Sequence, residues 1–464
     1  MLIFACGTLA AAEIKNVLFI ISDDLKTDVM GCYGSDIGIT PNIDRLAASG
    51  MVFERAYCQG VWCAPSRQSF MYSRYTGKQG VTMGEFFKNN NYYTARVGKI
   101  FHMRVPGDII DGTDGADVVS SWSERFNSSD REAHTPGDYA CLNLNIFTDE
   151  LEGRQTTAMP HRMFVTVQAD GDGSDQPDYK TAVKTIELLR QRKNEKFFIG
   201  VGMVRPHYPM VAPRKYFKEY DWQKIKLPHV PEGDADDIPK IAWKTSSLKN
   251  PIGRYPDNQR RMWQGYLAAL TFVDDQVGRI LDEVERLGLR DTTAIVFTSD
   301  HGYHLGEHTF WEKSMLHEDV ARVPLIISAP GMQAGRSAAF VELLDIYPTM
   351  ADLTGLEVGD AVQGRSLKSI LLDSKSVVRD AALTVDAKGA ALRSEKWAYM
   401  RYVNGAEELY DMENDPQQYT NQAKNPEYSD ALNARRSAFE QRLQDAEVKL
   451  KGGMGKCANV RVRE

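Results

Sequence analysis

Residues 61–67 read Val-Trp-Cys-Ala-Pro-Ser-Arg, which puts a thiol, a proline and an arginine where a helix should begin. Pro65 suits a first helical position, and Phe70 and Met71 continue with helical spacing. Cys63 then falls at the positive end of the helix dipole, a place that favours an anion. Arg67 follows one turn later on the same face, so its guanidinium can reach back over whatever Cys63 becomes. Carboxylates stand at two other strand-like ends: Asp23 and Asp24 after the apolar residues 17–21, and Asp300, followed by His301, after the apolar residues 294–298. Neighbouring carboxylates repel each other, and a calcium or magnesium ion with oxygen ligands would hold them. Lys99 and His102 come just past another apolar stretch at residues 92–97, His207 lies between Pro206 and Pro209, and Lys313 ends a Trp-Glu-Lys run. Taken singly, each has a plainer reading: a buried core cysteine, a solvated acidic turn, surface decoration, a histidine capping a loop. Their chemistry depends on whether the fold collects them.

The elements that would collect them alternate. Residues 17–21, 92–97, 197–201, 294–298 and 323–328 are short apolar runs, the pattern of strands buried on both faces of a parallel sheet. Helical spacing fills intervals at residues 40–50, 178–192, 258–288 and 341–353, with Leu267, Leu270, Val277 and Leu281 on one side of the longest. This alternation predicts a doubly wound α/β fold with a mostly parallel sheet, in which ligands bind at the carboxyl ends of strands, where Asp23, Asp24 and Asp300 stand. The flanking prolines predict an extended, rigid segment around His207. Residues 106–162, rich in Gly, Asp and Ser, are candidates for substrate-recognition loops, and residues 213–257 for a second excursion from the core. Beyond residue 375, strand-like pieces at 396–402 and 408–410 and a charged helix at 428–449 predict a small α+β domain. The expected division is therefore a catalytic domain over 13–375 and a second domain over 376–464.

Composition narrows the class. With 464 residues the chain exceeds one typical domain, and 42% hydrophobic with 26% charged residues excludes a disordered chain. The net charge of −7 argues against a nucleic-acid or anionic-membrane partner, so an anionic ligand would need a local basic cluster. Residues 1–12, apolar and ending in small residues, look like the remnant of a secretory signal, which predicts an exported, periplasmic or secreted protein. Cys6 admits a lipobox reading that Phe4 and the short lead argue against. No other run approaches the roughly 20 apolar residues that span a membrane. Apart from Cys6 and Cys63, Cys32, Cys58, Cys141 and Cys457 remain, and their pairing is open.

In chain order, Ser-Asp-Asp at 22–24, Cys-x-Pro-Ser-Arg at 63–67, Gly-Lys-x-x-His at 98–102, Pro-His-x-Pro at 206–209, Ser-Asp-His-Gly at 299–302 and Trp-x-Lys at 311–313 resemble the sulfatase family. The chain departs from it at Met71-Tyr72-Ser73-Arg74, where the family usually continues Leu-Thr-Gly-Arg. Within the family, the Gly-Lys-x-Phe-His spacing, His301 and the Gly-Glu-His at 306–308 look like the iduronate 2-sulfatase branch. The resemblance implies an alkaline-phosphatase-like fold, one calcium ion, and a Cα-formylglycine made from Cys63 by a maturation enzyme. Carried over residue by residue, it implies that Asp23, Asp24, Asp300 and His301 hold the metal beside the modified Cys63, whose hydrated form supplies the hydroxyl that attacks sulfur. Arg67, Lys99 and Lys313 would neutralise the sulfuryl oxygens, His207 would protonate the departing sugar oxygen, and His102 would deprotonate the second hydroxyl so that sulfate leaves. The implied substrate is a sulfated oligosaccharide or polysaccharide, in this branch a 2-O-sulfated uronate or related glycan. Two other readings stay open: a phosphonate monoester hydrolase or phosphodiesterase on the same superfold, and a non-catalytic protein that binds sulfated glycans.

Overall fold

The structure, a computed structural model, describes residues 13–154, 158–243 and 252–450. The signal-like residues 1–12, with Cys6, and Cys457 lie outside the described residues.

The apolar run at 17–21 lies within the strand Asn16–Ser22, in which every residue is buried. Its side chains serve two cores in turn. Leu18 and Ile20 pack with Leu267 and Leu270 of the helix Pro256–Arg286, while Phe19 and Ile21 pack with Phe70 of the helix Cys63–Tyr72 and Tyr347 of the helix Ile346–Leu353. A strand covered by helices on both faces has no polar side, which is why its sequence is continuously apolar. It lies between the strands Thr293–Ser299 and Phe197–Met203, parallel to both, with Ser22 beside Ser299 and Met203. Tyr93–Gly98 continues the parallel arrangement next to Phe197–Met203, followed by Glu124–Phe126. Four long parallel strands thus end together at one edge. On the other side Leu325–Ser328 runs antiparallel to Thr293–Ser299, and Met51–Tyr57 runs antiparallel to Leu325–Ser328. Arg322–Val323 and Gly335–Glu342 join Met51–Tyr57 to complete a mixed, mostly parallel sheet.

Several details differ from the sequence expectation. The strand expected at 323–328 is interrupted at Pro324, which has no N–H for the ladder. The helix expected from residue 341 begins at Ile346, because Val341 and Glu342 finish a strand and Glu342 forms a reciprocal capping box with Asp345. The stretch 106–162 is more than loops, since Gly137–Cys141 and Ile146–Thr148 join Val165–Ala169 and Met210–Pro213 in a second sheet of four strands. His207 sits in a turn rather than an extended segment: its N–H folds back to donate to Val204 O at 3.1 Å. The C-terminal sheet has four antiparallel strands, Ala381–Asp386, Gly389–Ser394, Trp397–Tyr402 and Glu407–Asp411, of which the sequence revealed the last two. The helix Ser429–Asp445 packs on it through Leu432, Phe439 and Leu443. Cys32, Cys58, Cys63 and Cys141 are free thiols. No helix among the described residues is long and apolar enough to cross a membrane.

Candidate active site

The four strand ends deliver most of the site. Asp23 and Asp24 follow Ser22, Lys99 follows Gly98, the His207 turn follows Met203, and Asp300 and His301 follow Ser299, all of them buried. Lys99 requires two backbones in close contact: its N–H donates to Gly202 O at 3.0 Å. A Cβ at Gly202 would lie 2.1 Å from Lys99 O, and one at Gly98, where φ is +73°, would lie 2.2 Å from Gly202 O. Both positions therefore admit glycine alone.

The helix Cys63–Tyr72 starts at Cys63 itself, two residues before Pro65. Cys63 Sγ lies 3.4 Å from Asp23 Oδ1, 3.4 Å from His301 Nε2, 3.2 Å from Lys313 Nζ and 4.0 Å from Lys99 Nζ. Arg67, one turn on, braces the acids around the thiol. Its Nε donates to Asp300 Oδ2 at 2.8 Å, Nη2 lies 3.4 Å from Asp23 Oδ1, and Nη1 donates to the carbonyls of Ile100, at 3.1 Å, and Lys99. Lys99 pairs with Asp23, and Lys313 with Asp24 Oδ1 at 2.6 Å. His207 Nδ1 faces Tyr208 O at 2.6 Å, which turns Nε2 into the site, 3.8 Å from Asp24 Oδ2. His301 is held alike, with Nδ1 on Gly302 O at 2.8 Å and Nε2 3.3 Å from Asp24 Oδ1 and 3.6 Å from Asp300 Oδ2. His102 lies at the edge of this group, half-buried and edge-on to Trp62 with 5.8 Å between rings, within the field of Lys99, Asp23, Lys313 and Arg67, and no hydrogen bond among the described residues links it to Cys63.

These charges shape one another's protonation. Burial alone would raise Asp23, yet Lys99 and Arg67 hold it well below the usual carboxylate range. At Asp24 burial, reinforced by the charge of Asp23, outweighs Lys313 and pushes the carboxyl well above that range. Burial and then Lys313 keep His207 well below its ordinary value. Burial and then Lys99 push His102 down to about 3, so its imidazole is neutral near pH 7. Burial would lower His301 too, but Asp300, Cys63 and Asp24 outweigh it and raise His301 to about 9.

The donor set suits a divalent cation. Ligand atoms of Asp23, Cys63, Asp300 and His301 lie within 4.8 Å of one another, as do those of Asp23, Asp24, Cys63 and His207. Asp24 Oδ2 is buried and accepts no hydrogen bond. Three carboxylates out of water, one with an oxygen left over, fit a hard ion such as calcium. The structure brings the sequence-derived site residues together, with His207 Nε2 beside Asp24 and His102 at the edge, within the field of Lys99, Asp23, Lys313 and Arg67.

The supports of the site went unseen in the sequence. Ser299 Oγ accepts from Leu25 N–H at 2.9 Å and donates to His301 O at 2.8 Å, which locks the two acidic turns together. Tyr208 OH donates to Glu312 Oε1 at 3.0 Å and ties the His207 turn to the Lys313 segment. Tyr208 and Glu312 occupy the variable positions of Pro-His-x-Pro and Trp-x-Lys, where a large polar residue in a buried run was the available signal.

A sulfatase family model matches residues 15–356, and a model described as N-sulphoglucosamine sulphohydrolase, C-terminal, matches residues 306–447. The chain is 29% identical to a sulfatase of Formosa agariphila over 452 residues, covering 90% of this chain and 85% of the relative. It is 32% identical to human iduronate 2-sulfatase over 413 residues, covering 75% of this chain and 70% of the relative. Among solved structures, one in complex with its substrate D-glucosamine-2-N,6-O-disulfate has a TM-score of 0.71 at 20% identity, covering 94% of this chain and 98% of that one. The phosphonate monoester hydrolase of Agrobacterium radiobacter has a TM-score of 0.75 at 20% identity, covering 93% and 96%. Likeness at that identity establishes the alkaline-phosphatase-like fold and leaves the chemistry to the sequence matches. Those matches span well over half of the sequence, and the chain belongs to the sulfatase family of sulfuric ester hydrolases.

Proposed function

We propose that this sulfatase hydrolyses the sulfate ester of a sulfated glycan, a 2-O-sulfated uronate or a close relative, using a calcium ion and a formylglycine at position 63. The observation that carries this reading is the convergence on Cys63 Sγ of an aspartate, a histidine and two lysines within 4.0 Å. Support for a glycan comes from the similarity to human iduronate 2-sulfatase and the fold shared with a 2-O GAG sulfatase, TM-score 0.67.

When present, calcium held by Asp23, Asp24, Asp300 and His301 supplies Lewis-acid polarisation of a sulfuryl oxygen, and the hydrated aldehyde at position 63 supplies a hydroxyl nucleophile. The remaining work falls to the chain's own side chains. Arg67 fixes Asp300 and Asp23 and stays charged throughout. Lys99 and Lys313 hold ammonium groups beside residue 63, where charge accumulates on the sulfuryl oxygens. His207, oriented by Tyr208 O, turns Nε2 toward the leaving sugar oxygen. Burial and Lys313 keep its imidazole neutral in the free site, so the proton it gives from Nε2 is one taken up with the anionic substrate, whose charge favours the imidazolium. His102, neutral at the rim, takes the proton that frees sulfate.

Two measurements test the reading. The enzyme, co-produced with a formylglycine-generating maturation enzyme, should release sulfate from an aryl sulfate and a 2-O-sulfated uronate disaccharide. Turnover of an aryl phosphonate alone would replace it with the phosphonate monoester hydrolase reading. A peptide containing position 63 should be about 18 Da lighter than its cysteine form. Fully active protein with an intact thiol there contradicts the mechanism.

A further inference from the structure

We infer that Arg162 is a specificity residue that binds the carboxylate of the sugar bearing the sulfate ester, an inference that rests on the glycan sulfatase reading above. Arg162 belongs to the short 3-10 turn His161–Phe164, which the mechanism does not use. That turn is fastened to the site from two directions. Phe164 packs edge-on against Trp311, with ring centroids 5.4 Å apart, two residues before Lys313. On the other side the buried Asn143 holds His161 Nδ1 at 3.0 Å.

The turn so placed sets the Arg162 guanidinium 5.7 Å from the centroid of the Tyr208 ring, and Lys313 Nζ lies 5.5 Å from the same centroid. Tyr208 in turn packs on His207, with ring centroids 4.2 Å apart. The cation beside Cys63 and the Arg162 cation therefore both lie within 5.7 Å of the centre of one aromatic ring next to the proposed general acid, which places Arg162 at the border of the sulfate-binding group.

What singles Arg162 out is that its own chain does not satisfy it. Arg67 is paired with Asp300 and Asp23, Arg205 with Glu132, and Arg154 with backbone carbonyls including those of Ala133 and Gly137. Arg162 has no carboxylate partner among the described residues. Its Nε donates to Met159 Sδ at 2.9 Å, and a thioether is a weak acceptor. A half-exposed guanidinium with free donors presents a planar fork that matches a carboxylate bidentately, which an ammonium cannot do.

The test compares wild-type, Arg162→Ala and Arg162→Lys enzymes on three substrates: a 2-O-sulfated uronate disaccharide, the same disaccharide with its carboxyl reduced to an alcohol, and a disulfated disaccharide without a carboxylate. In Arg162→Ala the ratio of kcat/KM for the uronate to that for its reduced counterpart should fall about 10- to 100-fold, mainly through KM, with Arg162→Lys in between. An unchanged ratio in a variant that melts like the wild type overturns the role of Arg162 alone. A loss confined to the disulfated substrate assigns Arg162 to a second sulfate and overturns the carboxylate. Wild-type enzyme that cleaves an aryl sulfate but no sugar overturns the glycan reading together with this one. If Arg162→Ala does not fold, the ratio in Arg162→Lys and Arg162→Gln decides.

Discussion

Two buried clusters of charge in this protein are built on opposite principles. The first joins the strand Gly335–Glu342 to the C-terminal sheet and helix. Arg379 pairs with Asp345 at 2.7 Å and with Glu342 at 3.3 Å, Arg442 pairs with Glu342 at 3.0 Å, and the Tyr75 hydroxyl donates to Glu342. The backbone N–H groups of Leu383, Glu342 and Arg365 take up the remaining acceptors at 2.7, 2.8 and 2.8 Å. Every carboxylate oxygen there has a partner from the chain. In the second cluster, the active site, Asp24 Oδ2 has none, and Lys99 and Lys313 face Cys63 as well as their carboxylates. Burying charge is costly in both places, so burial alone does not mark function. A cluster whose carboxylates are all taken up by its own chain is a clamp, whereas one with a carboxylate oxygen left over can take a cation. The acidic group Asp28, Glu307 and Asp319 makes the same point at the surface. It has metal-like spacing, but Lys26 Nζ lies among its carboxylates at 3.3, 2.5 and 3.4 Å.

The contrast can be broken most forcefully at Cys63. Cys63→Ala should cut sulfate release by on the order of 10⁴-fold or more while leaving the melting temperature nearly unchanged. A variant that kept a tenth of wild-type kcat would show that position 63 is not the nucleophile. His207→Ala comes next: a loss of roughly 10²–10⁴-fold on a sulfated sugar, and much less on nitrophenyl sulfate, whose phenolate leaves without a proton. Equal losses on the two substrates would make His207 a binding residue.

Arg379→Met should show the reverse profile. Leaving Glu342 and Asp345 buried and underpaired should cost about 3–5 kcal/mol in a urea titration, with kcat of the folded fraction close to wild type. A midpoint equal to the wild type's would deny the clamp. The last test concerns the spare capacity at Asp24, where the stability change is the smaller of the two. Chelation should abolish turnover and lower stability together, and calcium restored to 100 times its Kd should return about 2.7 kcal/mol. Metal-stripped enzyme that kept its rate would refute the fit of the donor set.

Legibility differed along the chain for physical reasons. The strand Met51–Tyr57 escaped notice because Glu54 and Arg55 interrupt its apolar run. Both are half-buried, and Glu54 pairs with Arg336 at 2.7 Å on the neighbouring strand. The first two C-terminal strands carry Ala381, Ala382, Gly389, Ala390 and Ala391, residues with weak strand preference that become strands through their pairing. The turn at His207 was misread because flanking prolines restrict their neighbours without specifying the fold-back to Val204. The long helix was plain, since its apolar side repeats over many turns and the core it faces demands that repeat.

By itself the sequence determined where chemistry leaves the sheet. A strand buried on both faces must stay apolar to its end, so the first charged residues after it mark the ligand edge, and Asp23, Asp24, Lys99 and Asp300 were placed by that rule. The tertiary structure alone decided which of those charges are satisfied: Lys99 on Asp23, Lys313 on Asp24, Arg67 on Asp300, and one oxygen of Asp24 on no donor. Lys313 and Asp24 are 289 positions apart and Arg67 and Asp300 233 apart. Pairings over such separations are set by which strand ends pack side by side, and no local pattern of residue types encodes that.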